Sequence, residues 1–484
     1  MSGSTLTKTK LSINIFTVLS LVSAMMCIAL LAQNALQRIP AHYSLLPLLP
    51  LSCALGFLMM STVRQRSGSV SCILLSMMAF IRYCITPFIM IAGDFESLMK
   101  LNITLNANNG ILLMAYEAIA IFLAITLYCR RIDKDLYKTA VHKKSKGITF
   151  AFFDGIMLIM IIFIIAVAFA VPEVMTGFKT IFDMAESDFT MVHYSAAQTQ
   201  AGTLKRALQT LFSMVFQLIR IMLPLWVIFK MKKNRWADVI ICVFAVLFSA
   251  IQFVFITSTF AESIISAFVI LMMTAYLCPK SKKSMTISVI VMLVTIVSSF
   301  FIVRYSVRSS NSLYTVSGMK YVSSIVTAYL GGVDNVAAIF NLTDANKWES
   351  LFFNFYSAIP FNTTLFGLEG EKLQVFYNAA NSSYGQIEPS IASGYYYFGP
   401  VFAPVFSVLV TIFSLKFDAI ADETESFWKK TAYKFCMLIF SLGISMYDVS
   451  IVLRWFTNWG IPLILLSLFS RKKYSIKAVV YEQD

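Results

Sequence analysis

Long apolar stretches alternate along the chain with short basic or polar ones. A helix needs about 20 mainly apolar residues to cross a bilayer. About twelve stretches qualify, at 12–32, 43–63, 70–92, 109–129, 149–171, 207–229, 237–257, 259–278, 285–304, 389–415, 431–448 and 452–470. The pattern predicts an all-α integral membrane protein of about 12 transmembrane helices, nine in 1–304 and three in 389–470, with a tail at 471–484. The rhythm breaks near 172–206 and more widely at 305–388, between spans 9 and 10, where a polar and aromatic segment replaces the apolar run. Within 305–388, short apolar pieces at 319–330, 334–342 and 348–356 are separated by Gly and by Asn/Thr/Asp clusters. They are too short to span and suit helices that lie on the bilayer surface or cap a cavity.

Composition supports the membrane class. Hydrophobic residues make up 58% of the 484 and charged residues 13%, more apolar surface than a soluble core of this length could hide. The net charge of +14 invites a nucleic-acid partner until the cations are placed. With the N-terminus in the cytoplasm, 26 of the 39 lysines and arginines fall in cytoplasmic tails and loops, seven of them in 130–146. That asymmetry follows the positive-inside rule and puts both termini in the cytoplasm and 305–388 outside. The basicity is thus topological, and no nucleic acid is expected. All eight cysteines lie in or at the edge of apolar stretches and there are three histidines, so neither a disulfide framework nor a metal site is expected. The first apolar stretch is long for a signal peptide and lacks a clear small-residue cleavage site, so it is expected to remain as a span.

A charge at the centre of a span costs about 2.5 to 3.5 kcal/mol on insertion scales and needs a partner or water. Arg82 and Glu117 fall at similar depths in adjacent antiparallel spans and read first as a structural ion pair. Arg220, one turn from Gln217, is expected to face a wet cavity rather than lipid. A second group sits at the outer boundary: Glu262, Arg304, Arg308, Glu388, Asp448 and Arg454. Taken singly, each is explained by snorkelling to water. The cations within or at the outer ends of the spans, however, are all arginine (Arg82, Arg220, Arg304, Arg454), whereas the cytoplasmic clusters are mainly lysine. A guanidinium forks onto phosphate and stays charged when partly desolvated, which suits an anionic headgroup such as a pyrophosphate.

Next to this group lies GQIEPSIASGYYYFGPVFAPVFSVL, residues 385–409. Pro389 can start a helix with Glu388 at its positive end, and Gly394, Gly399, Pro400 and Pro404 permit close packing or a kink. Tyr395, Tyr396 and Tyr397 ring one turn, either as an interfacial aromatic belt or as a glycan-binding platform. The twelve-span layout, the large outer segment and this glutamate-led, Gly-rich aromatic entry resemble the bacterial O-antigen and capsule repeat-unit polymerases of the Wzy type. An arginine followed by ten residues and a glycine, a motif of some relatives, is not reproduced after Arg308, where Gly318 comes one position early.

The resemblance implies a GT-C-like polymerase architecture in the bacterial inner membrane. It implies a glycosyltransferase that moves a growing glycan from undecaprenyl pyrophosphate onto a fresh lipid-linked oligosaccharide repeat unit, amid membrane lipids, with a chain-length regulator as a further partner. The donor carries its own leaving group, so the protein must neutralise the pyrophosphate, align the acceptor hydroxyl and remove its proton, with no cofactor and no metal. Arg220, Arg304, Arg308 and Arg454 are the candidates for pyrophosphate. Glu388 is the candidate base, with Asp448 and Glu262 as alternatives. Three other readings stay open. A flippase for lipid-linked oligosaccharide would bring internal repeats and short outer loops, neither of which is apparent. A ligase would use closely similar chemistry. A eukaryotic receptor or scaffold would draw on the four glycosylation-type sequons at Asn102, Asn341, Asn362 and Asn381.

Overall fold

The computed structural model describes residues 3–35, 41–61, 69–95, 106–136, 151–172, 178–179, 203–230, 252–253, 260–277, 319–343, 347–362, 368, 370–381, 386–446 and 448–468. Backbone donors and acceptors find no water in a bilayer core, so apolar runs satisfy them internally as helices. The described chain is accordingly almost wholly helical: α1 (Gly3–Ala35), α2 (Leu48–Ser61), α3 (Val70–Phe80), α4 (Thr86–Ala92), α5 (Ala107–Leu136), α6 (Ala151–Ala170), α7 (Thr203–Lys230) and α8 (Phe260–Leu277). The central segment then forms α9 (Met319–Tyr329), α10 (Val333–Ala337), α11 (Lys347–Tyr356) and α12 (Leu373–Ala380). The last third forms α13 (Ser390–Phe402), α14 (Val405–Glu423), α15 (Phe427–Met446), α16 (Val449–Trp455) and α17 (Ile461–Leu468). A single two-residue pairing, Phe178–Lys179 with Gln252–Phe253, is the extended structure among the described residues.

Among the described residues, five helices are long and apolar enough to cross a membrane, or six with a bent pair taken as one span. The chain is a helical membrane protein. Ten of the twelve predicted stretches coincide with helices, several shorter than expected. The predicted spans at 285–304 and, but for Gln252–Phe253, at 237–257 lie outside the described residues.

The expected span 389–415, whose Gly and Pro residues permit a kink, is sharply broken. It is two helices, α13 and α14, meeting at 105°. Gly399 takes φ +76°, a region that L side chains resist. Gly394 lies so close to the Ala403 carbonyl that a Cβ there would sit 2.0 Å from the oxygen. Pro400 and Pro404 remove two backbone donors at the same corner. Two further helices carry a π turn, Ile81–Ile85 between α3 and α4 and Phe456–Gly460 between α16 and α17. Such bulges redirect side chains without ending the helix.

Helix contacts define two ends of the bundle. At one end the Asp418 carboxylate of α14 accepts from the Ser71 amide (3.0 Å) and hydroxyl (2.7 Å) at the start of α3, and pairs with Lys434 of α15. Lys434 also reaches Asp422 at 2.9 Å. At the other end the central segment docks, α9 against α4 and α10 against α5. The predicted apolar pieces are thus helices, but α10 is buried along its length rather than resting on the surface. Tyr43 donates to Asp334 (2.6 Å), tying the segment to the bundle, and within the segment Tyr377 donates to the Asn335 carbonyl (2.6 Å).

Candidate functional site

Where α12, the segment 386–389, α13 and α16 converge, the fold gathers four charged side chains. Glu388 precedes the first turn of α13 and is buried. Its Oε2 has no hydrogen-bond partner, a costly state for a buried carboxylate. Lys372, half-buried, is the residue just before α12. Asp448 caps α16, its Oδ2 accepting from the Ser450 amide at 3.0 Å and its Oδ1 from Ser393 of α13 at 2.8 Å. Arg454, two turns along α16, donates to Ser357 Oγ at 3.3 Å.

Electrostatics bind these groups into one unit. Burial and then the Asp448 carboxylate push the Glu388 carboxyl well above its ordinary range, opposed by its own backbone and by Lys372. Burial and then the Arg454 guanidinium bring Lys372 down to about 8, opposed by Glu388 and Asp448. A carboxyl raised and a lysine lowered toward neutrality in one place are the arrangement that acid–base chemistry uses. Tyr377 of α12 is raised by burial, by Glu388 and by Asp334.

Of the ten residues singled out from sequence, the fold brings Glu388, Asp448 and Arg454 together, with Tyr397 near enough for both carboxylates to act on its hydroxyl. Asp448 is committed to the α16 cap and to Ser393, so it holds geometry and raises Glu388 rather than standing ready as a base. Glu262 lies in the first turn of α8. Arg304 and Arg308 lie outside the described residues. Arg220 is fully buried on α7 and does not face lipid: its Nη1 donates to Gln217 Oε1 at 3.0 Å, and Gln217 donates to Ser266 of α8 at 2.8 Å.

The three tyrosines are used mainly for packing. Tyr395 tilts against Phe340 at 4.9 Å between ring centres. Tyr396 is buried and donates to the Thr343 carbonyl (3.3 Å), with the Lys347 ammonium 5.4 Å from its ring centre. Tyr397, also buried, meets Asn354 Nδ2 at 2.9 Å and Ser350 Oγ at 3.4 Å. Arg82 and Glu117 form the expected ion pair at 3.0 Å, and Glu117 also accepts from Tyr83 (2.9 Å) and Ser407, joining three helices.

Sequence reasoning missed Lys372 and Ser393. Lys372 counted only as an outer cation. The available signal was its place, after Glu371 and Gly370 and directly before the amphipathic run LQVFYNAA. The sequon asparagines are engaged internally: Asn341 donates to Asn381 (2.8 Å), buried Asn381 to the Tyr377 carbonyl (2.8 Å) and Asn362 to the Tyr356 carbonyl (3.0 Å). Asn102 lies outside the described residues. Among the described residues no cluster of three His, Cys, Asp or Glu side chains is placed to hold a metal. Comparison with protein-family models, curated proteins and solved structures finds no match to this chain.

Proposed function

We propose that this protein is a polysaccharide polymerase of the bacterial inner membrane. It transfers a growing glycan from undecaprenyl pyrophosphate to a new lipid-linked repeat unit at the outer face. The observation that carries the reading is the buried, unsatisfied Glu388 carboxylate set beside Lys372 and Arg454 at one end of a membrane bundle. The basic loops support assigning that end to the outer face, since 130–146 and 471–477 follow the opposite ends of their helices.

In this reading the acceptor hydroxyl attacks the anomeric carbon of the donor while the bond from that carbon to the pyrophosphate oxygen breaks. Glu388 takes the hydroxyl proton. The lipid pyrophosphate leaves with its charge countered by Lys372 and Arg454, and Arg304 and Arg308 remain candidates for the same task. The protein supplies the countercharge itself, so turnover is expected in the presence of a chelator. Burial and then Asp448 raise the Glu388 carboxyl above its ordinary range, which makes it a stronger proton acceptor than an exposed glutamate. Deleting the gene and resolving surface polysaccharide on a gel tests the class: a polymerase mutant retains single repeat units. Loss of all exported units would point to a flippase.

A further inference from the structure

Helix α11 exposes a large apolar face and buries polar side chains, the reverse of the usual arrangement in water along most of that face. Trp348, Phe352 and Phe355, spaced four and three apart, share one face, which Ile359 continues just past the helix end. That face is exposed: Trp348 at 68%, Phe352 at 52%, with Phe355 and Ile359 close behind. The buried side carries Ser350 and Asn354 together with Tyr356, with Leu351 packed on the core, and Glu349 is exposed beside Trp348. Ser350 and Asn354 are buried on the Tyr397 hydroxyl, Asn354 Oδ1 accepts from the Leu373 amide beside Lys372 (3.3 Å), and Ser357 accepts from Arg454.

A water-exposed amphipathic helix buries its apolar face and presents its polar one. The reversal has a physical rationale if the surroundings of α11 are hydrocarbon. The exposed apolar face is continuous with a spanning helix. Phe355 lies 6.2 Å from Phe406 of α14, and Phe398 lies 5.5 Å from the same ring. The exposed Val401 and Phe402 of the α13–α14 corner lead on to the exposed Leu409 and Phe413 down α14. Trp348 stands at one end of α11 with Lys347 beside it, the pairing found at membrane–water interfaces.

We propose that α11 is sunk in the outer leaflet with its Trp348, Phe352 and Phe355 face against lipid acyl chains, forming the lateral wall between those chains and the Glu388–Lys372 site. The wall deepens the polymerase reading by giving a lipid-linked substrate a sideways approach past Ser357 and Arg454. The immersion itself stands without that reading.

Nitroxide labels at Phe352→Cys, Phe355→Cys and Val401→Cys, with exposed Glu371→Cys as the aqueous reference, test it in nanodiscs of phosphatidylethanolamine and phosphatidylglycerol. Dissolved oxygen should relax the first three labels more than a water-soluble nickel complex does, and the order should reverse at 371. Nickel accessibility at 352 and 355 equal to that at 371 would overturn the proposal by placing α11 in water. Low accessibility to both reagents with spin–spin broadening would overturn it by placing a second copy on the face. Loss or retention of polymer synthesis leaves these readings unchanged, so the two proposals fail separately.

Discussion

Removing the proton from Lys372 should slow the protein about tenfold between pH 7 and pH 9. Burial and Arg454 bring this ammonium from the ordinary 10.5 to about 8. The group is charged below that value and neutral above it. The charged form is the one that counters pyrophosphate, so kcat/KM should fall as pH rises through about 8. At pH 7 about ten molecules in eleven carry the charge, and at pH 9 about one in eleven, close to a tenfold loss across two pH units. Lys372→Arg keeps a cation that stays charged up to about pH 12, so the alkaline limb should leave the measurable range even if the lower-pH rate drops. Lys372→Met should lose the charged contact throughout, about 2.7 to 4 kcal/mol, or a hundredfold to a thousandfold in rate. Arg454→Gln lifts one of the forces that depress Lys372, so its limb should move to higher pH. The assay is the initial rate of polymer formation by purified protein at subsaturating lipid-linked repeat unit from pH 6 to pH 10. An unmoved alkaline limb in Lys372→Arg would refute the assignment.

Glu388→Gln should abolish turnover while raising the melting temperature at pH 8. The folded-state pKa lies above the ordinary 4.5, so the stability cost of the ionised wild-type carboxylate grows as pH rises from there, and the gain in Tm should vanish near pH 5. Thermal unfolding in detergent at both pH values reads this directly. Glu117→Ala should destabilise by about 3–5 kcal/mol because it leaves Arg82 buried and uncompensated, whereas Arg82→Met with Glu117→Leu should recover most of the loss; denaturant titration of the set checks the coupling. Gly394→Ala should cost about 1–3 kcal/mol, because the new methyl meets the Ala403 backbone oxygen rather than a movable side chain; the yield of folded protein on size exclusion would show it.

What the sequence made legible follows the length scale of each signal. Helix positions are set by local hydropathy, and ten of the twelve expected stretches coincide with helices, although among the described residues only five or six are long and apolar enough to cross a bilayer. The Arg82–Glu117 pair was legible because depth along two adjacent spans reduces to counting residues. The 105° corner was half legible: the Gly and Pro residues flagged a break, but its angle depends on the Gly399 backbone and the Gly394–Ala403 contact. Lys372 was not legible as part of a site, because a single lysine in a polar segment looks solvated until the fold sets it among Glu388, Asp448 and Arg454. The tyrosine triplet shows the converse. Three adjacent rings announce an aromatic cluster, yet only tertiary contacts with Ser350, Asn354 and Thr343 reveal that two of them anchor the central segment.

The most direct measurement is polymer synthesis by the purified protein. Wild type, Glu388→Gln and Lys372→Met are supplied with undecaprenyl-pyrophosphate-linked repeat unit and chelator, and the products are separated on a gel. The account predicts a ladder of repeat units from wild type, single units from Glu388→Gln with lipid-linked substrate still bound, and a trace ladder from Lys372→Met. Wild-type-like ladders from Glu388→Gln, or a wild-type ladder that forms only with added divalent metal, would contradict it.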